Sequence, residues 1–301
     1  MKIKIATRKS ELALFQANLV AKKIKEANNK IDVQLVPMTS DGDETNKPLH
    51  QIGGKGLFIK SLEKALLDKT ADIAVHSLKD VPARLEPGFS IAAVLKRASA
   101  SDMLLTSNGI SIKEMGESMT IATSSPRRYA QIKNMRPNAK IIPIRGNIAT
   151  RINKLKDGNF DGLIVAKAAL ERLEINLNGY YEFSLNEMLP SASQGYIGIE
   201  CLSSNNEIID ILKSINSPND MALANAERKF VSSLNGSCLS PIAIYCREYS
   251  DGVLVSAKVL SQNGDKQIIK EIKTSYELLN KDIDDLSEEF ISKDAHKLIL
   301  S

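Results

Sequence analysis

The sequence is poor in the residues that build covalent or metallic frameworks. It has three cysteines, Cys201, Cys238 and Cys246, an odd number without CxxC spacing, which argues against a disulfide framework or a zinc site. Three histidines, His50, His76 and His296, leave too few for a histidine-based metal centre, so no metal is expected. No apolar run approaches the length of a membrane span. The first residues, "MKIKIATRKS", pass straight into strand-like alternation without the apolar core of a signal peptide, and the expected location is cytoplasmic. Aromatics are 5% of the chain and the net charge is +4, from 40 basic and 36 acidic residues, with no polybasic tail. Neither nucleic acid nor a membrane is therefore an expected partner.

What is present is an ordinary globular composition, 43% hydrophobic and 25% charged over 301 residues, enough for two or three domains. Only 11 residues are arginine, and six of these fall between Arg127 and Arg172. A planar guanidinium fork suits bidentate carboxylate or phosphate binding, so the clustering points to a polyanionic ligand. The stretch "TSSPRRYAQI" shows the idea best. Ser124 or Ser125 is a natural N-cap, and Pro126 suits the first helical position. Arg127 and Arg128 then fall in the first turn, where the helix end is already partly positive. Either solvent tolerates that cost, or an anion sits in front of them.

Strand-like and helix-like segments alternate through the first 200 residues, and the layout of "KIKIATRKS" returns in "MTIATSSPRR". This predicts two α/β domains of similar plan with mostly parallel sheets, carrying ligand in the cleft between them, at strand ends beside helix N-termini. Thr7–Ser10, Thr123–Arg128 and Arg145–Arg151 occupy such positions. From about Pro218, short strands and a final polar helix predict a small α+β third domain. The expected boundaries are 1–96 with 196–216, 97–195, and 217–301. Thr39–Gly54 is a long polar, glycine-bearing loop, of a length that is more often a lid or disordered than a plain linker.

Several motifs carry candidate chemistry. "GGKGLF" (Gly53–Phe58) fits an anion cradle of backbone N–H groups and a flexible hinge equally. "DIAVHSLKDVP" (Asp72–Pro82) ends a buried-looking strand with Lys79 and Asp80, a place for an acid–base carboxylate, although by residues alone a surface turn fits better. His76 reads as packed or hydrogen-bonded. "IRGNIATRINKL" sets Arg145 at a strand end and Arg151 in the next helix, and after Arg127 and Arg128 the anion reading is the better one. Cys201 and Cys246 lie in apolar runs, whereas Cys238 in "NGSCLSPI" lies among Gly236, Ser237 and Ser240, a setting for an exposed thiol or for an incidental loop cysteine. Residue chemistry alone reaches a two-lobed binder of a small polyanion.

Seven motifs in this order, "IATRKSELAL", "GGKGLF", "DIAVHSLKDVP", "TSSPRR", "RGNIATR", "LPSASQGYIGIE" and "NGSCLSPI", resemble the porphobilinogen deaminase (hydroxymethylbilane synthase) family over nearly the whole chain. The resemblance implies two type II periplasmic-binding-protein-like lobes and a small C-terminal domain, in a monomeric transferase. It implies a reaction joining four porphobilinogen molecules head to tail with loss of ammonia, then hydrolysis to hydroxymethylbilane. It also implies a dipyrromethane cofactor held by a thioether to Cys238. By the same match, Asp80 is catalytic. Lys79, Ser125, Arg127, Arg128, Arg145 and Gly146 contact the cofactor; Arg8, Ser10, Phe58, Arg151, Gln194 and Gly195 contact substrate. The loop Thr39–Gly54 would cover the cleft. Each pyrrole unit carries an acetate and a propionate, which is the anion the arginines would meet. Glu11, Pro126, Ser193 and Ser237 depart from the family pattern, the last two where glycine is common. A non-catalytic solute-binding protein is the reading from a different class.

Overall fold

The computed structural model describes residues 1–39 and 59–301. By contact density the chain divides into two compact units, one of residues 1–98 and 195–224, the other of residues 99–194 and 225–301.

In the first unit, β1 (Lys2–Arg8) alternates so that Ile3 and Ile5 are fully buried, as period-two strand geometry requires. It pairs in parallel with β2 (Asp32–Met38) and β3 (Ile73–Ser77). Between β1 and β2 runs the helix Glu11–Ala27. Its Ser10 N-cap accepts from Ala13 N, and Ala17, Val20, Ala21 and Ile24 face the sheet at helical spacing. β4 (Phe89–Val94) and β10 (Ile197–Leu202) complete the order β2-β1-β3-β10-β4, with β10 antiparallel to both neighbours.

The second unit repeats this plan. β5 (Asp102–Thr106), β6 (Thr120–Ala122), β7 (Lys140–Ile142), β8 (Gly162–Ala166) and β9 (Tyr181–Glu182) form a sheet of order β7-β6-β8-β5-β9. β6 is parallel to β7 and β8, and β5 is antiparallel to β8 and β9. Each sheet thus has a single reversed strand. In both cases that strand, β5 or β10, is the first one after the chain passes from one unit to the other. The mostly parallel lobes read from the sequence are present, and the reversed strands are what the strand–helix alternation leaves out.

The small C-terminal region is an antiparallel meander of β11 (Ile242–Tyr249), β12 (Gly252–Leu260) and β13 (Gln267–Thr274). The helices Pro218–Ser233 and Leu279–Ser292 pack by an edge-to-face contact of Phe230 and Phe290, ring centroids 5.1 Å apart. Several contacts bind the meander region to the rest of its unit. Asn134 donates to Gly264 O, Ile244 N donates to Pro190 O, and Gly264, at φ +77°, lies so close to Ala130 O that a Cβ would sit 2.2 Å away.

Ser193, one of the departures from the family pattern, adopts φ +62° with its side chain buried and its hydroxyl unpartnered among the described residues. Its N–H donates to the buried Glu227 carboxylate at 2.6 Å, and the same carboxylate accepts from Cys246 N at 2.8 Å. A left-handed serine costs roughly 1–2 kcal/mol relative to glycine, and an unsatisfied buried hydroxyl adds to this. Glycine at this position gives back part of the gain through unfolded-state entropy. Ser193→Gly is therefore expected to raise stability by about 1 kcal/mol and the melting midpoint by about 2 °C. An unchanged or lowered midpoint in a thermal scan would contradict this.

Candidate active site

The helix Pro126–Met135 starts as its sequence predicts: Ser125 is the N-cap, accepting from Arg128 N at 3.4 Å, and Pro126 opens the first turn. Arg127 and Arg128 do not project into solvent; they are 3% and 7% exposed. The anion in front of them belongs to the protein. Asp102, the fully buried first residue of β5, accepts from Arg127 Nη2 at 2.8 Å on Oδ2. Its Oδ1 accepts from Arg128 Nη2 at 2.7 Å, Arg128 Nε at 3.1 Å and Gln194 Nε2 at 3.0 Å. The remaining Nη1 groups reach backbone carbonyls, Arg127 to Leu189 O and Arg128 to Ile164 O, both at 2.7 Å. The sequence reading placed a ligand's carboxylates before these arginines; the structure puts an internal carboxylate there first.

The charges in this cluster do not cancel, since two guanidinium groups share one carboxylate. Burial pushes the Arg127 guanidinium down from its ordinary value, with Asp102 opposing and Arg128 adding to the shift. Arg127 Nε is buried and has no partner among the described residues.

Beside this helix start, Ser124 Oγ donates to Ile144 O at 2.7 Å and accepts from Ile144 N at 2.8 Å. The two bonds clamp the β6 and β7 exits side by side and bring Arg145 to the same end of the sheet. Arg145 is half-buried, and its Nη2 is a second buried donor without a partner among the described residues. Gly146 follows at φ +111°, where a Cβ would lie 2.8 Å from Thr150 Cγ2. Asn147 caps the helix Ile148–Lys156, and Arg151 Nε donates to Gly146 O at 2.7 Å. Arg172, counted in the cluster but given no role by sequence, ends the helix after β8 with its pKa lowered to about 10 by burial.

In the first unit, Arg8 ends β1 and Ser10 caps the following helix. Gln16 Nε2 donates to Ser77 Oγ at 2.8 Å, tying that helix to the end of β3. There the chain enters a short 3-10 turn, Leu78–Asp80, whose buried Leu78 donates its N–H to Tyr196 O at 3.0 Å. Gly198 lies beneath, where a Cβ would come within 2.7 Å of Leu78 Cδ1. Lys79 is half-buried, and Asp80 stands exposed at the turn's end, its carboxylate without a hydrogen bond or ion pair to the described residues. His76 is not a ligand but a buried partner of Glu200 at 2.9 Å. Gly195, at φ +94°, leads into β10. Phe58, the "GGKGLF" glycines and residues 40–54 of the expected lid lie outside the described residues.

The cysteines divide as their neighbours suggest. Cys201 and Cys246 are buried and Cys238 is exposed, none of them in a disulfide. Serine-stabilised turns hold the Cys238 loop: Ser237 N donates to Ser240 Oγ and Leu239 N to Ser237 Oγ. Among the described residues no group of three or more His, Cys, Asp or Glu could hold a metal ion, and no helix is long and apolar enough to cross a membrane.

Two α/β lobes of one plan, basic side chains at strand ends, an exposed carboxylate turn and an exposed thiol describe a two-lobed α/β protein with a buried cationic cluster. Family profiles agree and are more specific. Residues 3–210 match "Porphobilinogen deaminase, dipyromethane cofactor binding domain", and residues 221–288 match the "Porphobilinogen deaminase, C-terminal domain". The chain is 40% identical over 307 residues to porphobilinogen deaminase of Campylobacter jejuni, covering 99% of this chain and 98% of that protein. With that of Legionella pneumophila it is 38% identical over 299 residues, covering 99% and 97%. Among solved structures it is similar to the periplasmic VFT2 domain of Bordetella pertussis BvgS, at 13% identity and a TM-score of 0.45, covering 75% of this chain and 92% of that one. The chain belongs to the porphobilinogen deaminase family. It is a transferase with two α/β lobes of one plan; the family activity is hydroxymethylbilane synthesis and the family cofactor is dipyrromethane.

The partition of the cysteines is directly measurable. Native protein free of bound pyrroles is expected to take up one iodoacetamide, at Cys238, and two more only after unfolding. Burial both shields Cys201 and raises its thiol pKa, against a smaller opposing effect of Ser90. Native labelling at Cys201 or Cys246, read by peptide mass, would contradict the assignment.

Proposed function

We propose that this chain condenses four porphobilinogen molecules head to tail, releasing ammonia at each step, and hydrolyses the product to hydroxymethylbilane, with roles divided as follows. Cys238 Sγ carries the dipyrromethane cofactor through a thioether, and Lys79, Ser125, Arg127, Arg128, Arg145 and Gly146 hold it. Arg8, Ser10, Phe58, Arg151, Gln194 and Gly195 hold substrate. The observation that carries this reading is the uncompensated positive charge of the buried arginine cluster, with donors at Arg127 Nε and Arg145 Nη2 unpartnered among the described residues. Such donors in a dry setting fit the acetate and propionate groups of pyrroles, and an exposed thiol fits the attachment.

The cofactor supplies the free pyrrole α-position from which the chain grows. The protein's own work is charge management. Arginine forks bind carboxylates and fix the orientation of the rings. Asp80, exposed on its turn, accepts the pyrrole N–H of the substrate and stabilises the positive charge that develops as ammonia leaves, then takes up the proton released at the new bond. The rigid seat of that turn on Tyr196 O and Gly198 holds the carboxylate in place.

The three-domain division 1–96 with 196–216, 97–195 and 217–301 belongs to the same proposal. It is supported by the separate sheet and the separate profile match of the C-terminal region. So do a monomeric state, a cytoplasmic location and a small-molecule substrate without nucleic acid or membrane, which the modest net charge of +4 favours.

Intact mass is the first test. Wild type incubated with porphobilinogen is expected to carry two condensed pyrrole units that Cys238→Ser lacks; an unmodified wild type sinks the proposal in favour of a binding protein. Asp80→Asn is expected to keep KM within about threefold while kcat falls by roughly 10² or more, the scale of lost acid–base catalysis. Near-normal steady-state turnover in that variant removes Asp80 from its role.

A further inference from the structure

We propose that Asp102 is a positioning residue for the reaction: its buried carboxylate sets the geometry and the net charge of the group formed by Arg127, Arg128 and Gln194. The inference rests on the reading given under Proposed function, which assigns those three residues to cofactor and substrate but gives Asp102 no part.

The strand fixes the carboxylate before any ligand arrives. Asp102 opens β5 opposite Ala166 of β8, and its backbone oxygen accepts from Phe183 N at 3.0 Å. From this fixed point it accepts at least four hydrogen bonds, from both arginines and from Gln194. Each arginine has a second anchor on a backbone carbonyl, so neither fork can swing without breaking bonds in two directions. Gln194 is held likewise, donating to Ala100 O at 2.6 Å. The consequence is preorganisation. The two cations are kept near each other, where they would otherwise repel, and Arg127 Nε keeps a buried hydrogen-bonding position unfilled among the described residues.

The charge count follows from the same residue. With Asp102 ionised the cluster carries a net charge of +1, from two guanidinium groups and one carboxylate, matched to one further carboxylate. A neutral amide at this position would leave +2 and would turn an NH₂ group toward the guanidinium groups. The arginines would then separate toward solvent, and anion binding would lose its fixed geometry rather than its charge.

The experiment compares wild type, Asp102→Asn and Asp102→Glu by thermal melting, by intact mass after incubating apo protein with porphobilinogen, and by KM and kcat of the loaded enzyme. Asp102→Asn is expected to load pyrroles at least about tenfold more slowly and to raise KM about tenfold, with kcat within about threefold. Asp102→Glu, which keeps the charge, is expected to fall between the two. Loading rate and KM within twofold of wild type in a folded Asp102→Asn, or a fall in kcat alone, would overturn the proposal. If Asp102→Asn does not fold, Asp102→Glu decides: a KM raised at least threefold at unchanged kcat supports positioning, and an unchanged KM overturns it. Wild type that gains no pyrrole mass at all overturns the reading of the function instead, whatever the variants do.

Discussion

A buried carboxylate shared by two arginines is the constraint around which the second unit is arranged. Arg127 and Arg128 occupy the first turn of a helix, where the aligned peptide dipoles already disfavour cations, and both are nearly inaccessible to water. Such an arrangement is stable only with an anion within hydrogen-bonding distance. Asp102 supplies it, and three separate stretches converge to make the contact: the start of β5, the helix Pro126–Met135 and the segment ending at Gln194. Leu189 O and Ile164 O complete the shell, so strand, helix and loop are fastened together by the same guanidinium groups.

The C-terminal region is built into this arrangement rather than appended to it. Glu227, fully buried, takes Ser193 N on one oxygen and Cys246 N on the other, which fixes the residue before Gln194 to β11. The β12–β13 turn presses on the arginine-bearing helix at Gly264, where only a missing Cβ permits the approach to Ala130 O. The loop that carries Cys238 and the helix that carries the arginines therefore belong to one compact unit. Their separation is set by packed elements and not by a flexible linker.

Much of the local structure around the candidate site was legible because its signals are local. A serine followed by proline announces a helix start within four residues, and Ser125 and Pro126 take those roles. Cysteines flanked by apolar residues are buried and the one among small polar residues is exposed. The repeated strand–turn–helix layout foretold two lobes of one plan, and the ordered motifs named the family. Asp102 was not legible. It lies 25 residues before Arg127 in "DMLLT", a strand whose partners are all distant in sequence, and no local pattern marks its carboxylate as buried. β10 escaped for the same reason, and both are the reversed strands of their sheets. The left-handed backbone of Ser193 was equally hidden, because serine carries no signal for it.

By itself the sequence determined which side chains are available, where the helices capped by Ser10 and Ser125 begin, and which cysteine has the polar neighbours of an exposed thiol, since capping and periodicity act over a few neighbouring residues. Tertiary structure alone decided what the arginines face. Two guanidinium groups can point at solvent, at a ligand or at an internal acid, and the choice depends on which strand folds beside the helix start. Bringing β5 there buried the cations and matched them with one carboxylate instead of two, leaving a net charge of +1 at the helix start.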